Sequence, residues 1–257
     1  RKREPNLWHS VWCHLNTGVG NNIFARGSHR WNLVDGPEFV REVLPGSDPD
    51  RKDGLLFFTP NAFRQGNMDG FSVIAKHVAS MVPTGSKVCE LYAGVGLLGL
   101  TALNDAYHRE GNWDSEGGLT WLRCSDENDA NPRCFERAVG SMPTEVTGRL
   151  PWKQQQKKQY TFNKNGRRVK NNNRNKRTPT IQNILDDRSN LSGYTSSSED
   201  DDNKNGKVSY MVASASKALY EGQGMGANVL IVDPPRKGLE EEVLAQLCKP
   251  FNPNQLP

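Results

Sequence analysis

The sequence has no long hydrophobic run and few apolar residues overall. Hydrophobic residues make up 35% of the 257 positions, and the mean hydropathy is −0.73. No apolar run approaches the roughly 18 residues that a membrane-spanning helix needs. We therefore expect no membrane contact. The first residues also lack a signal peptide and an initiator Met, so we expect the chain to begin inside a longer protein.

Paired cysteines are missing as well. The five cysteines, Cys13, Cys89, Cys124, Cys134 and Cys248, show neither a CxxC pair nor a metal-ligand spacing. Cys89 and Cys124 lie in predicted strands, where a thiol behaves as a small hydrophobe. The pattern predicts no metal site and a reducing, intracellular setting, and it leaves open whether this is cytoplasm, nucleus or plastid.

Apolar clusters are almost absent between about residues 151 and 206. Such a segment buries too little surface to offset its ordering entropy, so it predicts a disordered insertion within a folded domain. It holds 12 Lys/Arg and 6 Asp/Glu, which leaves a net charge of −2 for the rest of a chain whose total is +4. Its basic half, 153–177, could bind RNA phosphates without sequence preference, or it could be a solvated loop.

Outside this insertion, strand patterns alternate with helix patterns. Strands are predicted at 87–92, 119–124, 208–213 and 228–232, and helices at 68–82, 132–142, 216–221 and 239–247. This alternation predicts an α/β fold with a doubly wound parallel sheet. Before it, the alternating stretches 10–15 and 22–25 predict a β-hairpin, and 55–59 a further strand. We therefore expect a small β-rich N-terminal region over 1–54 and an α/β domain over 55–257.

Segment 233–239 (Asp-Pro-Pro-Arg-Lys-Gly-Leu) directly follows the apolar strand 228–232. It therefore places a carboxylate, two rigid prolines and a cation at the carboxyl end of a central strand, where open α/β sheets bind ligands. A plain strand-to-helix turn would have the same composition. Upstream residues are needed to choose between the two interpretations.

A glycine motif supplies those residues. Segment 94–99 (Gly-Val-Gly-Leu-Leu-Gly) stands after a strand and before a helix, where backbone can approach a ligand closely. Glu90 precedes this turn, and a cationic ligand would benefit from it. Asp126 follows the second strand, placed to accept two ribose hydroxyls. Each feature has a structural alternative, helix packing or a solvated turn, but with Asp233 they fit one nucleoside pocket.

Three segments in this order resemble the RNA 5-methyluridine (uracil-C5) methyltransferase family, which uses S-adenosylmethionine. Segment 59–67 (Thr-Pro-Asn-Ala-Phe-Arg-Gln-Gly-Asn) is similar to the family's Ser-Pro-x-x-Phe-x-Gln-x-Asn. Segment 90–100 resembles its glycine motif in the plant, algal and cyanobacterial versions, and 233–239 resembles its most specific signature. The likeness extends from about Trp8 to Leu239, interrupted by the insertion.

The resemblance implies a class I methyltransferase (Rossmann-like) sheet, incomplete at the C-terminus, and a set of cofactor contacts. Gln65 would reach over the methionine end of S-adenosylmethionine. Tyr92, Gly94 and Gly96 would line the pocket, Asp126 would hold the ribose, and Asp233 would sit beside cofactor and target base. The implied partner is RNA, either tRNA or rRNA, and the implied state is a monomer.

Two departures from the family pattern bear on function. The third strand of the family usually ends in an acidic residue near the adenine, whereas here only Ser214 is polar. The family also activates uracil by cysteine attack at carbon 6, and that cysteine and a later glutamate follow a strand that this sequence does not reach. Cys248 lies in the helix after the Asp-Pro-Pro turn, so it is not a candidate for that role. We expect the catalytic pair beyond Pro257 and this chain alone to be inactive.

Two other classes of function stay open. An amino-directed nucleic-acid or protein methyltransferase would use Asp233 and the prolines to accept a substrate N–H, but Arg236 stands where it would have an aromatic residue. A noncatalytic RNA-binding module would keep the fold without the chemistry. A dehydrogenase fits least, because neither Glu90 nor the Asp-Pro-Pro-Arg turn has a role in it.

Overall fold

The computed structural model describes residues 8–15, 31–47, 54–109, 118–148 and 207–248, and the backbone of two short strands between 161 and 169. Along the chain the described elements are β1 (Val11–His14), β2 (Trp31–Asp35), β3 (Val40–Val43), β4 (Leu55–Phe58), α1 (Met68–Met81), β5 (Lys87–Leu91), α2 (Leu97–Arg109), β6 (Trp121–Asp126), α3 (Asn131–Val139), α4 (Thr144–Thr147), β7 (Thr161–Phe162), β8 (Arg168–Val169), β9 (Val208–Val212), α5 (Ala215–Tyr220), β10 (Val229–Val232) and α6 (Glu241–Leu247). No described helix has both the length and the apolar character to cross a membrane.

Four strands form a parallel sheet in the order β10–β5–β6–β9. The chain therefore moves outward from β5 to β6 and β9, and then returns to the opposite side of β5 for β10. Such a reversal is the topological switch point of a doubly wound sheet, and it opens a crevice at the carboxyl ends of the strands. The predicted α/β class and parallel sheet are confirmed.

Helices cover both faces of this sheet. Val88 packs in a core with residues of α1, α2 and α3, whereas its neighbour Cys89 packs with residues of α5 and α6. Successive side chains of a strand point to opposite faces, so these two cores lie on opposite sides. Because helices cover both faces, the central strands have no polar face. Their sequences are therefore continuous apolar runs, which a sequence pattern can identify as buried strands.

The N-terminal strands differ from the predicted hairpin. β1 pairs antiparallel with β2, from Trp12 opposite Leu33 to His14 opposite Trp31. The predicted partner stretch 22–25 and the insertion 151–206 lie outside the described residues, apart from the β7–β8 backbone pair. β3 pairs with β4, across the expected boundary at residue 54, and β4 contributes Leu56, Phe57 and Phe58 to the main core.

Gly96 allows the turn between β5 and α2 to rest directly on α3. It has φ +80°, and a Cβ built on it would lie 2.6 Å from the ring of the fully buried Phe135. A side chain would thus meet both an unfavourable backbone conformation and an occupied core position. Glycine is required here for packing.

A buried carboxyl group ties the same turn to the sheet. Glu90 is only 1% exposed, and its Oε2 accepts hydrogen bonds from the backbone N–H of Gly99 (3.0 Å) and from the thiol of Cys124 (3.2 Å). A Cβ on Gly99 would lie 2.4 Å from that oxygen, so glycine permits the contact. Burial raises the pKa of Glu90 to about 8, and the nearby carboxylates of Asp233 and Asp126 add to the rise.

We predict that Gly96→Ala lowers the free energy of unfolding by about 1–3 kcal/mol, the usual cost of overpacking a core. Urea unfolding followed by circular dichroism measures the loss. Gly85→Ala is the matched control, because Gly85 also has a positive φ (+73°) but open space around its Cβ position. Equal losses in the two variants would contradict the role given to the Phe135 contact.

We predict that Glu90→Gln makes stability less dependent on pH. The folded wild type keeps a proton on Glu90 up to a pKa of about 8, whereas the unfolded chain loses it near 4.5. The free energy of unfolding of the wild type therefore falls as the pH rises between these values, and the neutral amide removes this fall.

Urea midpoints at pH 5.5 and pH 8.5 test this pH effect. The free energy of unfolding of Glu90→Gln, relative to that of the wild type, should be higher at pH 8.5 than at pH 5.5. Glu241→Gln, on the exposed first turn of α6, should track the wild type at both values. An unchanged pH dependence in Glu90→Gln would refute the assignment.

Candidate functional site

A cavity of about 690 Å³ opens at the carboxyl ends of the parallel strands. Its walls come from the turns after β5, β6, β9 and β10, and from the segment between β4 and α1. This volume lies within the range of about 300–1,000 Å³ that is usual for small-molecule sites. The switch point of the sheet therefore holds a preformed ligand pocket.

Five of the six residues predicted to bind cofactor border this cavity, namely Gln65, Tyr92, Gly94, Asp126 and Asp233. They come from four separate segments of the chain. Tyr92, Gly94, Asp126 and Asp233 meet because β6 and β10 flank β5 on its two sides, whereas Gln65 lies in the loop between β4 and α1.

The sixth residue, Gly96, requires a correction. The sequence predicts it at the pocket wall, but the described cavity is bordered by its neighbours Val95 and Leu97, not by Gly96 itself. The reason is its packing against Phe135, which places it one layer beneath the surface of the pocket.

The backbone after β5 is unusually shaped where it meets the cavity. Tyr92 has φ 57° and Gly94 has φ 55°, and Tyr92 is the one non-glycine residue with positive φ in the described part of the chain. This conformation is costly for a residue with a side chain and is concentrated at functional sites. A Cβ on Gly94 would meet no atom within 4 Å, so the backbone there faces open cavity.

Asp126 fixes this turn from the neighbouring strand. Its Oδ2 accepts the N–H of Gly94 (3.0 Å), and its Oδ1 accepts the N–H of Asn128 (2.8 Å) and Nδ2 of Asn131 (3.1 Å). A carboxylate has roughly four acceptor positions, so about one remains for a ligand. Asp126 thus supports the pocket wall as well as bordering the cavity.

Negative charge dominates the lining. Four carboxylates border the cavity, those of Asp126, Glu127, Asp233 and Glu240, against the cations of Arg236 and Lys237. Glu90 borders it too, but its pKa of about 8 leaves this carboxyl mostly protonated, and so uncharged, at neutral pH. Lys237 is also 3.5 Å from Glu240. Burial, followed by the carboxylate of Glu240, raises the pKa of Tyr92. Such a pocket favours a cationic ligand and disfavours a pyrophosphate.

An aromatic wall was not anticipated from the sequence. Phe58, Phe63 and Phe71 line the side of the cavity formed by β4 and the start of α1, and Phe63 is 70% exposed. The signal for Phe63 was its place in the 59–67 motif, two residues before Gln65. Phe71 gave no signal, because a helical apolar residue is usually assigned to the core.

The end of the third strand carries Ser214, as the sequence indicated. Ser214 lines the cavity and also begins α5, since its Oγ accepts the N–H of Lys217 at 3.4 Å. Asn128 and Asn131, on the far side of Asp126, supply further polar lining that sequence reasoning did not single out.

The five cysteines of the chain all lie within the described residues, and none borders the cavity. Cys89, Cys124 and Cys134 are buried, and burial raises the pKa of each thiol. Cys13 and Cys248 are exposed but lie away from the pocket. A thiolate nucleophile is poorly supported at any of these positions.

One curated protein, an uncharacterized RNA methyltransferase of Protochlamydia amoebophila (strain UWE25), is 28% identical to this chain over 144 residues. The match covers 56% of this chain and 32% of the relative, so the matched region is about a third of the relative's length. No protein-family model matches the chain.

Two solved structures from Pyrococcus abyssi align with this chain, both with a TM-score below 0.5. The tRNA (uracil-54, C5)-methyltransferase in complex with S-adenosyl-L-homocysteine aligns over 93% of this chain and 38% of that chain, with 17% identity and a TM-score of 0.49. Wild-type Trm5b aligns over 51% and 32%, with 12% identity and a TM-score of 0.31.

The chain's own coordinates give it a doubly wound, Rossmann-like parallel sheet, and its sequence is similar to that of an RNA methyltransferase.

Proposed function

We propose that this chain is the S-adenosylmethionine-binding part of an RNA methyltransferase that acts on carbon 5 of uridine. The observation that carries the proposal is the acidic cavity behind the glycine turn. S-adenosylmethionine presents a sulfonium and an ammonium group, which the carboxylates of Asp126 and Asp233 would attract, and a ribose whose hydroxyls can donate to a carboxylate.

The same charge pattern argues against the dehydrogenase alternative. A dinucleotide places its pyrophosphate at the helix N-terminus behind the glycine turn. Here the N–H of Gly99, in the first turn of α2, is already bonded to the buried carboxyl of Glu90, and the N–H of Gly94 is bonded to Asp126. A pyrophosphate would lose these donors and meet negative charge instead.

The part of the cavity that would receive the methyl-accepting substrate is suited to a nucleic-acid base. Asp233 is exposed at the cavity, followed by the two prolines and Arg236. The aromatic wall of Phe58, Phe63 and Phe71 offers rings against which an unstacked base can pack. Arg236 stands where amino-directed enzymes would carry an aromatic residue, so attack at a pyrimidine carbon fits better than attack at an exocyclic nitrogen.

We further propose that the nucleophile for uracil is none of this chain's five cysteines. Three are buried with raised pKa, and the two exposed ones do not border the cavity. A cysteine and a glutamate beyond Pro257 would supply the attack at carbon 6 and the removal of the carbon 5 proton. The β-rich region 1–54 would help to hold tRNA or rRNA, and the chain would act as a monomer.

We predict that the chain binds S-adenosyl-L-homocysteine with one site and that the double variant Asp126→Ala, Asp233→Ala binds at least about 100-fold more weakly. Each lost hydrogen bond to a charged group is worth roughly 1.5–3 kcal/mol. Titration calorimetry measures both affinities. The matched control is Asp105→Ala, Asp129→Ala, because neither residue borders the cavity. A folded wild type that does not bind would overturn the pocket assignment.

For the substrate, we predict that the natural gene product containing this chain transfers methyl groups to RNA as 5-methyluridine. Methyl-labelled S-adenosylmethionine, unmodified RNA and nucleoside mass spectrometry identify the product. Label in an N-methylated nucleoside would favour an amino-directed enzyme. Cofactor binding without any labelled nucleoside would favour a noncatalytic RNA-binding module.

A further inference from the structure

The peptide of Gly94 is held from two neighbouring strands at once. Its N–H donates to Oδ2 of Asp126 at the end of β6, at 3.0 Å. Its carbonyl oxygen accepts a hydrogen bond from the hydroxyl of Tyr210 in the middle of β9, at 2.6 Å. Both polar groups of the residue that faces the cavity are therefore fixed by side chains.

Tyr210 lies beneath the pocket and does not border it. It is 8% exposed, and its ring packs against Phe135 with centroids 4.8 Å apart. Phe135 in turn supports Gly96. Two packed rings, tilted by 50° relative to each other, thus underlie the glycine turn, and the Tyr210 ring carries the hydroxyl that reaches Gly94.

The hydroxyl of Tyr210 is a permanent donor. Burial raises the pKa of Tyr210 far above its ordinary value, with the carboxylate of Asp126 adding to the rise. The side chain of Asn131 lies beside the same hydroxyl and donates to Oδ1 of Asp126. The two clamps on Gly94 therefore belong to one hydrogen-bonded network.

We propose that Tyr210 is a positioning residue for the cofactor-binding turn, acting through the carbonyl of Gly94. The inference rests on the proposed function, since it assumes that the turn contacts S-adenosylmethionine. The hydroxyl holds the peptide after the Gly94 Cα, and Asp126 holds the peptide before it, so that φ stays at 55° and the Cα faces the open cavity. Without it the turn would sample other conformations, and a ligand would have to order it on binding.

Tyr210→Phe tests the proposal, because it removes the hydroxyl and keeps the ring that packs on Phe135. Loss of one ordinary hydrogen bond should weaken binding of S-adenosyl-L-homocysteine by roughly 3- to 10-fold. Amide exchange of Gly94 in the unliganded protein should become faster, whereas that of the core residue Leu122 should not change. Tyr220→Phe is the matched control, since Tyr220 is 87% exposed.

Each other outcome is decisive. Wild-type affinity in Tyr210→Phe would overturn the proposal, and so would weaker binding with unchanged Gly94 exchange. Faster exchange at Leu122 as well would assign Tyr210 to general stability and would also overturn it. If the folded wild type binds no S-adenosyl-L-homocysteine, the proposed function and the ligand role of Tyr210 both fail, while Gly94 exchange still decides whether the hydroxyl holds the turn.

Discussion

The hydrogen bond between the carboxyl of Glu90 and the N–H of Gly99 is the contact on which the site depends. A helix leaves its first N–H groups without intrahelical partners, and here one of them is satisfied from inside the protein. Because the Glu90 carboxyl that accepts this bond belongs to the central strand β5, the first turn of α2 is held at a fixed position relative to the sheet. The segment between Leu91 and Leu97 connects the strand to that position, and it has positive φ at Tyr92, Gly94 and Gly96.

The central sheet could be predicted because each of its strands is buried on both faces. An apolar run such as 228–232 needs no knowledge of its partners to be recognised. β2 and β3 could not be predicted in the same way, since they are largely exposed and carry Asn32, Asp35, Arg41 and Glu42. They form strands because they pair with β1 and β4. The partner and register of such a pairing cannot be predicted from local composition.

Some residues of the candidate site could likewise be predicted from the sequence, and others could not. Tyr92, Gly94, Asp126 and Asp233 could be placed at the cavity because their motifs follow strand ends, and strand ends meet at one edge of a parallel sheet. Gln65 follows the antiparallel strand β4, so only the family resemblance pointed to it. Gly96 was misplaced, since spacing alone does not tell a glycine that faces a ligand from one that faces a ring. Tyr210 was missed because its role depends on register: it stands opposite Cys124 on the neighbouring strand, which brings its hydroxyl under the glycine turn.

If the proposed RNA substrate is correct, the charge of the lining determines how it can approach the pocket. The lining is acidic, so the phosphates of a polynucleotide are repelled from the cavity while an uncharged base is not. Under the proposed function, a base that enters would therefore leave its stack while its phosphates stay outside the cavity, whose described lining carries only two cations, Arg236 and Lys237. The basic excess of the chain is concentrated in segment 153–177, and residues outside the insertion carry a net charge of −2. Under the proposed function, the acidic pocket would suit a cationic cofactor and an uncharged base, and the phosphates of the substrate would have to be held elsewhere, because a single surface cannot favour phosphate and sulfonium at once.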